Sequence, residues 1–437
     1  MQRYFSDPYV FTPPHRSRAW LRLFRWVAPA YRYLALGVRR LELRGVHLLR
    51  DSAGSGAGVI LAPNHGGLTD GPLVGALGLR AGVYCYYLVA QHIFRQGRLR
   101  PWLIHRLGCF SILREGTDRE SLRASVHILT VAERPLVVFP EGTWYRQNDR
   151  VGPVQQGVAL IARMAARQTD RPIVIHPVAV KYWLLEDPRP ALVHRLAALE
   201  RHLECPPRRP QEIVGRIERV TAAWLARLER THLGHELTGD PEQRRLKLLA
   251  KLLDGLDETE FGRVFDRPTM DRVWRLRGLF VQRLSAGADV AEAATARTRL
   301  DALLDCEFLF SHSLSYLHEK PSWERIAETT QRLAEMVWDR YEGPAVPMGA
   351  VVEAGPAIAM SAQGEAASDR TDRRELLTVC VAEQIQGMLD RLAAEGPPRS
   401  WNIRRAADWA TNAFSPVAAE RGPGAKRRDE RGRDRPG

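Results

Sequence analysis

The sequence predicts an α/β fold, a mostly parallel sheet flanked by helices, with a large all-helical insertion and an N-terminal amphipathic helix. Three observations carry this prediction. Short apolar runs recur at Val59–Ala62, Val83–Val89, Cys109–Arg114, Leu136–Phe139 and Pro172–Tyr182, with helix-like spacing between them. From about Leu184 to Gly343 the strand pattern all but vanishes and apolar residues recur at three- and four-residue intervals. A strand pattern then returns at Val351–Ile358.

Taken in order, residues 17–40 read as a helix. Trp20, Phe24, Val27, Tyr31, Leu34 and Val38 share one face, and Arg18, Arg22, Arg25, Arg32 and Arg40 gather opposite, with Pro29 on the polar side. An aromatic face opposed to an arginine face suits a helix lying in a membrane interface, or one packed on the protein's own core with solvated arginines. Leu41–Val46 alternates like an edge strand, and residues 51–58 read as a flexible turn. Helices are expected over Pro72–Leu79, 91–107, Arg119–Ala132 and Val154–Arg167. In the helical stretch the clearest candidates are Glu212–Leu233, Gln243–Leu256, Met270–Leu284 and Trp323–Tyr341, the last entered by Pro321-Ser322. Arg373–Ala393 is a further helix, with a short candidate at Ile403–Phe414; residues 416–437 hold no core formers and read as disordered. The expected organisation is therefore a membrane-associating segment at 1–40, a main α/β part at 41–183, a helical insertion at 184–343, a closing strand and helix at 344–395, and a weakly ordered basic tail at 396–437.

Composition narrows the classes of function. The 437 residues carry a net charge of +13, yet residues 1–50 contribute +8 and residues 421–437 contribute +4. The body between them is close to neutral, which speaks against a basic nucleic-acid binding face; by Coulomb attraction alone the basic ends suit anionic lipid headgroups or nucleic acid equally well. Five scattered cysteines, with no CxxC or Cys/His cluster, argue against a disulfide framework or a zinc site and fit a reducing compartment. Met1–His15 holds no apolar h-region, so no signal peptide is expected there, and no uninterrupted apolar run is long enough to span a bilayer.

Four short stretches carry chemistry. In Val59-Ile60-Leu61-Ala62-Pro63-Asn64-His65-Gly66-Gly67-Leu68-Thr69-Asp70 a buried strand runs into a small-residue turn that bears a histidine and, five positions later, a carboxylate. A neutral imidazole can take a proton from an alcohol near neutral pH, and does so better when a carboxylate holds its other nitrogen. In Phe139-Pro140-Glu141-Gly142-Thr143 a carboxylate stands at the carboxyl end of a strand, where open α/β sheets bind ligands; it could meet a polyol or serve as a turn residue. Arg114 ends an apolar strand, either to hold a phosphate or to be solvated. His176, in the apolar run His176-Pro177-Val178-Ala179-Val180, reads as a core histidine.

These blocks, with Asn64-His65 and Asp70 first, Gly108 to Arg114 second, Phe139–Thr143 third and Pro177–Val180 fourth, resemble in order and spacing the glycerolipid acyltransferases that act on 1-acylglycerol-3-phosphate or glycerol-3-phosphate. The resemblance covers about residues 41–183 and resumes weakly at 351–393. It implies that His65 is the general base and Asp70 its orienting partner, and that a hydroxyl attacks the thioester of acyl-CoA or acyl carrier protein. It implies substrate-binding roles for Asn64, Arg114, Glu141, Gly142, Thr143 and Arg146, with no metal and no cofactor beyond the thioester co-substrate. The expected partners are a lysolipid acceptor and an anionic membrane surface, at the cytoplasmic face, and not nucleic acid. The chain departs from the family pattern where Trp144-Tyr145 follow Glu-Gly-Thr in place of Arg-Ser, where Arg146 comes two places late, and where glutamines stand near Gly157 in place of a basic residue. These departures fall on the phosphate-holding half, so an acceptor without phosphate, such as an amino-acid lipid, stands as the alternative, and a membrane-docked non-catalytic scaffold as the second.

Overall fold

The structure, a computed structural model, describes residues 9–67, 69–114, 118–206, 212–360, 370–401 and 403. Its centre is one sheet. The strands are β1 (Val38–Arg44), β2 (Gly58–Pro63), β3 (Tyr86–Ala90), β4 (Cys109–Ile112), β5 (Leu136–Val137), β6 (Ile173–Leu184), β7 (Met348–Ala354) and β8 (Ile358–Met360). They lie in the order β1-β7-β6-β2-β5-β3-β4, with β8 also on β6. The pairs from β6 through β2, β5 and β3 to β4 are parallel, as is β1 with β7, whereas β7 and β8 run antiparallel to β6.

The helices are α1 (Ala19–Leu34), α2 (Val46–Gly54), α3 (Asp70–Ala81), α4 (Leu99–Arg106), α5 (Arg119–Thr130), α6 (Gly157–Ala166), α7 (Arg189–His202), α8 (Ile213–Leu233), α9 (Pro241–Phe261), α10 (Thr269–Ser285), α11 (Val290–Ser311), α12 (Leu314–Glu319), α13 (Trp323–Trp338) and α14 (Arg370–Glu395). Strand periodicity decides which helices cover which face. On β6, Ile173, Ile175, Ala179 and Trp183 join a core with α5, α6 and α14, while Val174, Val178, Val180 and Tyr182 join a core with α2 and α3. Every residue of β2 and β6 is buried, as expected of strands covered on both faces.

Helices α7–α13 follow β6 in the chain, and β7 then returns to pair with both β6 and β1. These helices build a core of their own, including Trp224, Leu253, Phe280, Leu309, Ile326 and Leu333. Tyr145 and Leu184 from the sheet side enter that same core.

Several element boundaries differ from expectation. The N-terminal helix stops at Leu34, because Val38 onward pairs with β7 and the Met348 N–H donates to the Gly37 carbonyl at 2.8 Å. Strand pairing overrides the helical periodicity that reached residue 40. The turn expected over 51–58 is shortened by α2, whose Leu49 is fully buried among β2 and α3 side chains. The helix expected over 91–107 is broken into a 3₁₀ turn at Gln91–Arg95 and α4, with Gly97 between them at φ 73°. The single strand expected over Val351–Ile358 is two, split at Gly355-Pro356. The expectations for 404–437 lie outside the described residues.

Candidate active site

β2 delivers His65. After Pro63 pairs with Val178, the chain leaves the sheet, but β6 continues for six residues more. The edge that β2 leaves unpaired is completed by side-chain amides. Asn64 Oδ1 accepts from the Val180 N–H at 2.7 Å, and its Nδ2 donates to the Val180 carbonyl at 3.1 Å. Asn148 does the same for Tyr182, at 2.8 and 2.9 Å. Two asparagines thus take the place of a missing strand partner, as buried backbone groups require. The structure gives Asn64, expected among the substrate-binding residues, this strand-completing position with both amide atoms engaged.

The next residue turns into the cleft. His65 Nδ1 donates to Asp70 Oδ2 at 2.9 Å, and the Gly67 N–H donates to the same oxygen at 2.8 Å. Asp70 is the first residue of α3, two positions earlier than the expected helix start, and the helix N-terminus favours its negative charge. The carboxylate is fully buried, and the imidazole is 16% exposed. Tyr182 closes the back of the pair: its hydroxyl donates to Asp70 Oδ1 and also contacts the Thr69 hydroxyl. Sequence reasoning does not single out Tyr182. The signal available is its place on β6, in step with Val178 and Val180 and so on the α3 face of the sheet.

The 139–152 segment forms the second wall. Phe139 stacks on the imidazole with centroids 4.1 Å apart, and Trp144 meets its edge at 5.6 Å. Glu141 is buried. It accepts from the His65 backbone N–H at 2.7 Å and from the Gly152 N–H at 3.0 Å, which ties the two walls together. Gly142, at φ 67°, turns the chain so that its carbonyl takes the Arg114 guanidinium, while the Gln155 amide lies 2.8 Å from where a Cβ would stand. Thr143 and Trp144 follow, half-buried.

Arg146 lies on the side of the helical insertion. It is buried, pairs with Glu335 of α13 at 2.8 Å, and sits over the Trp144 ring at 4.8 Å. The six expected substrate-binding residues therefore divide. Arg114, Glu141, Gly142 and Thr143 gather at one turn beside His65, Arg146 faces α13, and Asn64 faces β6. His176, read as a core histidine, is fully buried, with its nitrogens engaged by the Gly355 carbonyl at 2.8 Å and the Ser52 hydroxyl at 2.9 Å.

Electrostatics keep the imidazole neutral. Burial holds His65 below its ordinary value of 6.5; Asp70 pulls the other way, and the Arg146 and Arg114 charges add to the lowering. Burial pushes the Glu141 carboxyl up to about 8, against two backbone donors that favour its charged form. With Nδ1 engaged by Asp70, Nε2 is the ring nitrogen left to accept a proton. Among the described residues no cluster of three or more His, Cys, Asp or Glu is arranged to hold a metal. The arrangement can deprotonate a hydroxyl brought to Nε2 and stabilise the imidazolium that forms.

Residues 40–181 match the family model described as Acyltransferase. A search of curated proteins finds no match to the chain.

Proposed function

We propose that this chain moves a fatty acyl group from a CoA or acyl-carrier thioester to a hydroxyl of a lysophospholipid or glycerol phosphate, a reading supported by the match of residues 40–181 to the Acyltransferase family model. The observation that carries this reading is the hydrogen bond from His65 to Asp70 on a neutral, mostly buried imidazole. His65 Nε2 takes the proton of the acceptor hydroxyl as its oxygen attacks the thioester carbonyl. The C–S bond then breaks, and the imidazolium returns its proton to the departing thiolate, so no covalent acyl-enzyme is needed. Arg114, at the Gly142 carbonyl, is the cation that receives the acceptor's phosphate, and Glu141 holds the two walls in register. Arg146 has its charge matched by Glu335, which favours an acceptor with one anionic group, or with none.

The surface supports work at a bilayer. α1 buries Leu21 against the body and leaves Leu23, Trp26, Val27, Tyr31, Tyr33 and Leu34 exposed, with no acidic residue on the helix. Trp20 packs edge-on against Trp102 of α4 at 4.9 Å, and Leu99 and Trp102 extend the exposed apolar patch amid arginines. Such a patch suits an anionic interface where the acyl substrates reside, at the cytoplasmic face, with the thioester donor on the same side. Among the described residues no helix is long and apolar enough to cross a membrane.

The test is release of free thiol from acyl-CoA and from acyl carrier protein against lysophosphatidate, glycerol-3-phosphate and an amino-acid lipid. Consumption with a phosphorylated acceptor is expected. Consumption with the amino-acid lipid alone moves the acceptor to the non-phosphate alternative, and no consumption with any acceptor overturns the enzymatic reading.

A further inference from the structure

We infer that Tyr182 is a positioning residue that makes the His65–Asp70 pair a triad, and that the helical insertion holds it in place through Asn148. The inference rests on the reading of His65 as the base, and it gives the insertion a part in the chemistry.

Geometry carries it. Asp70 presents one oxygen to His65 and to the Gly67 N–H, and the other to the Tyr182 hydroxyl. A carboxylate held by donors at both oxygens cannot rotate away from the imidazole. Tyr182 is 8% exposed, and burial beside Asp70 raises its phenol well above the ordinary value, so it remains a proton donor at any working pH.

What holds Tyr182 is unusual for a sheet residue. Tyr182 stands opposite Ala350 of β7, while its own backbone N–H and C=O both engage the amide of Asn148. Asn148 is in turn held by the insertion, its N–H donating to Glu328 of α13 at 2.9 Å. The hold is reinforced on either side. Asp149 receives Lys181 of β6 and Arg325 of α13, the latter at 2.8 Å, and its N–H reaches the Tyr316 hydroxyl at 3.3 Å. Tyr316 donates to Glu328, and the Leu184 N–H meets Glu324 at 3.3 Å. A continuous line of hydrogen bonds thus runs from α13 through Asn148 and Tyr182 to Asp70 and His65. Contact alone is no proof of coupling, so the test measures coupling directly.

The test compares Tyr182→Phe with the wild-type chain. Phenylalanine keeps the ring and its packing and removes only the donor. We expect kcat to fall on the order of 10-fold, the loss typical of removing a hydrogen-bonded supporting group, with KM little changed. The groups facing His65 are Asp70 on α3, Tyr182 behind it on β6, Glu141 and Arg146 on the 139–152 segment, and Arg114 after β4. Without the phenol, Asp70 is a stronger acceptor for the imidazolium. The acid limb of kcat/KM therefore moves to higher pH, which a loss of packing alone would not produce. An unchanged kcat and acid limb in Tyr182→Phe overturns the positioning role. Glu328→Ala and the double variant test the insertion's part. The Glu328→Ala loss in kcat should be smaller in the Tyr182→Phe background than in wild type; equal losses in both overturn the coupling. His65→Ala serves as control. If it remains active, the reading of the base fails. If it is inactive while Tyr182→Phe behaves as wild type, only this inference fails.

Discussion

At the scale of single residues, the site depends on where one proton sits. Asp70 accepts from Nδ1 of His65, which leaves Nε2 as the nitrogen for the proposed base, and burial with two nearby arginines lowers its affinity for a proton. A base with a lowered pKa is lost only at acidic pH, so the acid limb of kcat/KM for the wild-type chain should lie below pH 6.5. Asp70 is the influence that raises the imidazole. Asp70→Asn should therefore move that limb to still lower pH while cutting the rate by about 10³-fold, as the imidazolium loses its partner. A limb that moved to higher pH in Asp70→Asn would mean that the carboxylate acts on another group. His65 and Asp70 are legible in the sequence because the strand, the small-residue turn and the five-residue offset are local. Tyr182 is not, because its meeting with Asp70 spans 112 positions and depends on strand register.

At the scale of elements, the strand–helix alternation is legible, and the boundaries move where a tertiary partner wins. β1 claims Val38 from the amphipathic helix through its pairing with β7, and Leu49 draws residues 46–54 into a helix by its burial. Neither partner is visible from local spacing. The earlier end of α1 alters how its proposed membrane role should be tested. Deleting residues 1–40 would also remove the start of β1, so point changes are cleaner. Leu23, Trp26 and Leu34 are 58%, 76% and 80% exposed and contribute little to the core. Replacing all three with Ser should leave the melting temperature nearly unchanged and weaken cosedimentation with anionic vesicles by well over 10-fold, since each inserted side chain contributes about 1.5–3 kcal/mol. Undiminished binding would contradict an interfacial α1.

At the scale of the whole molecule, α7–α13 emerge from the sheet between two of its paired strands, and α13 is tied to the 146–149 segment beside the site through Glu335 and Glu328. The sequence marks this stretch as helical and offers no role for it, because its ion pairs join residues that lie far apart in the chain. Arg146 with Glu335, two residues of 7% and 0% side-chain exposure, is the most buried of these ties near the site. Glu335→Ala would leave a buried guanidinium without its partner, a loss of about 3–5 kcal/mol in unfolding free energy by urea titration. A change under about 1 kcal/mol would show that the pair is not what joins the two parts. The family match on residues 40–181 stops just before the end of β6, so the insertion and the closing β7 that brackets it are features of this chain beyond the matched segment.

The central claim is that His65 performs acyl transfer as a general base. The most direct measurement is the rate of free thiol release from acyl-CoA, on vesicles carrying the acceptor, by wild-type protein and by His65→Ala of matched thermal stability. The account predicts a loss of about 10³-fold in kcat, within the contribution of a positioned base. A His65→Ala variant that retains its rate to within a few-fold would contradict it.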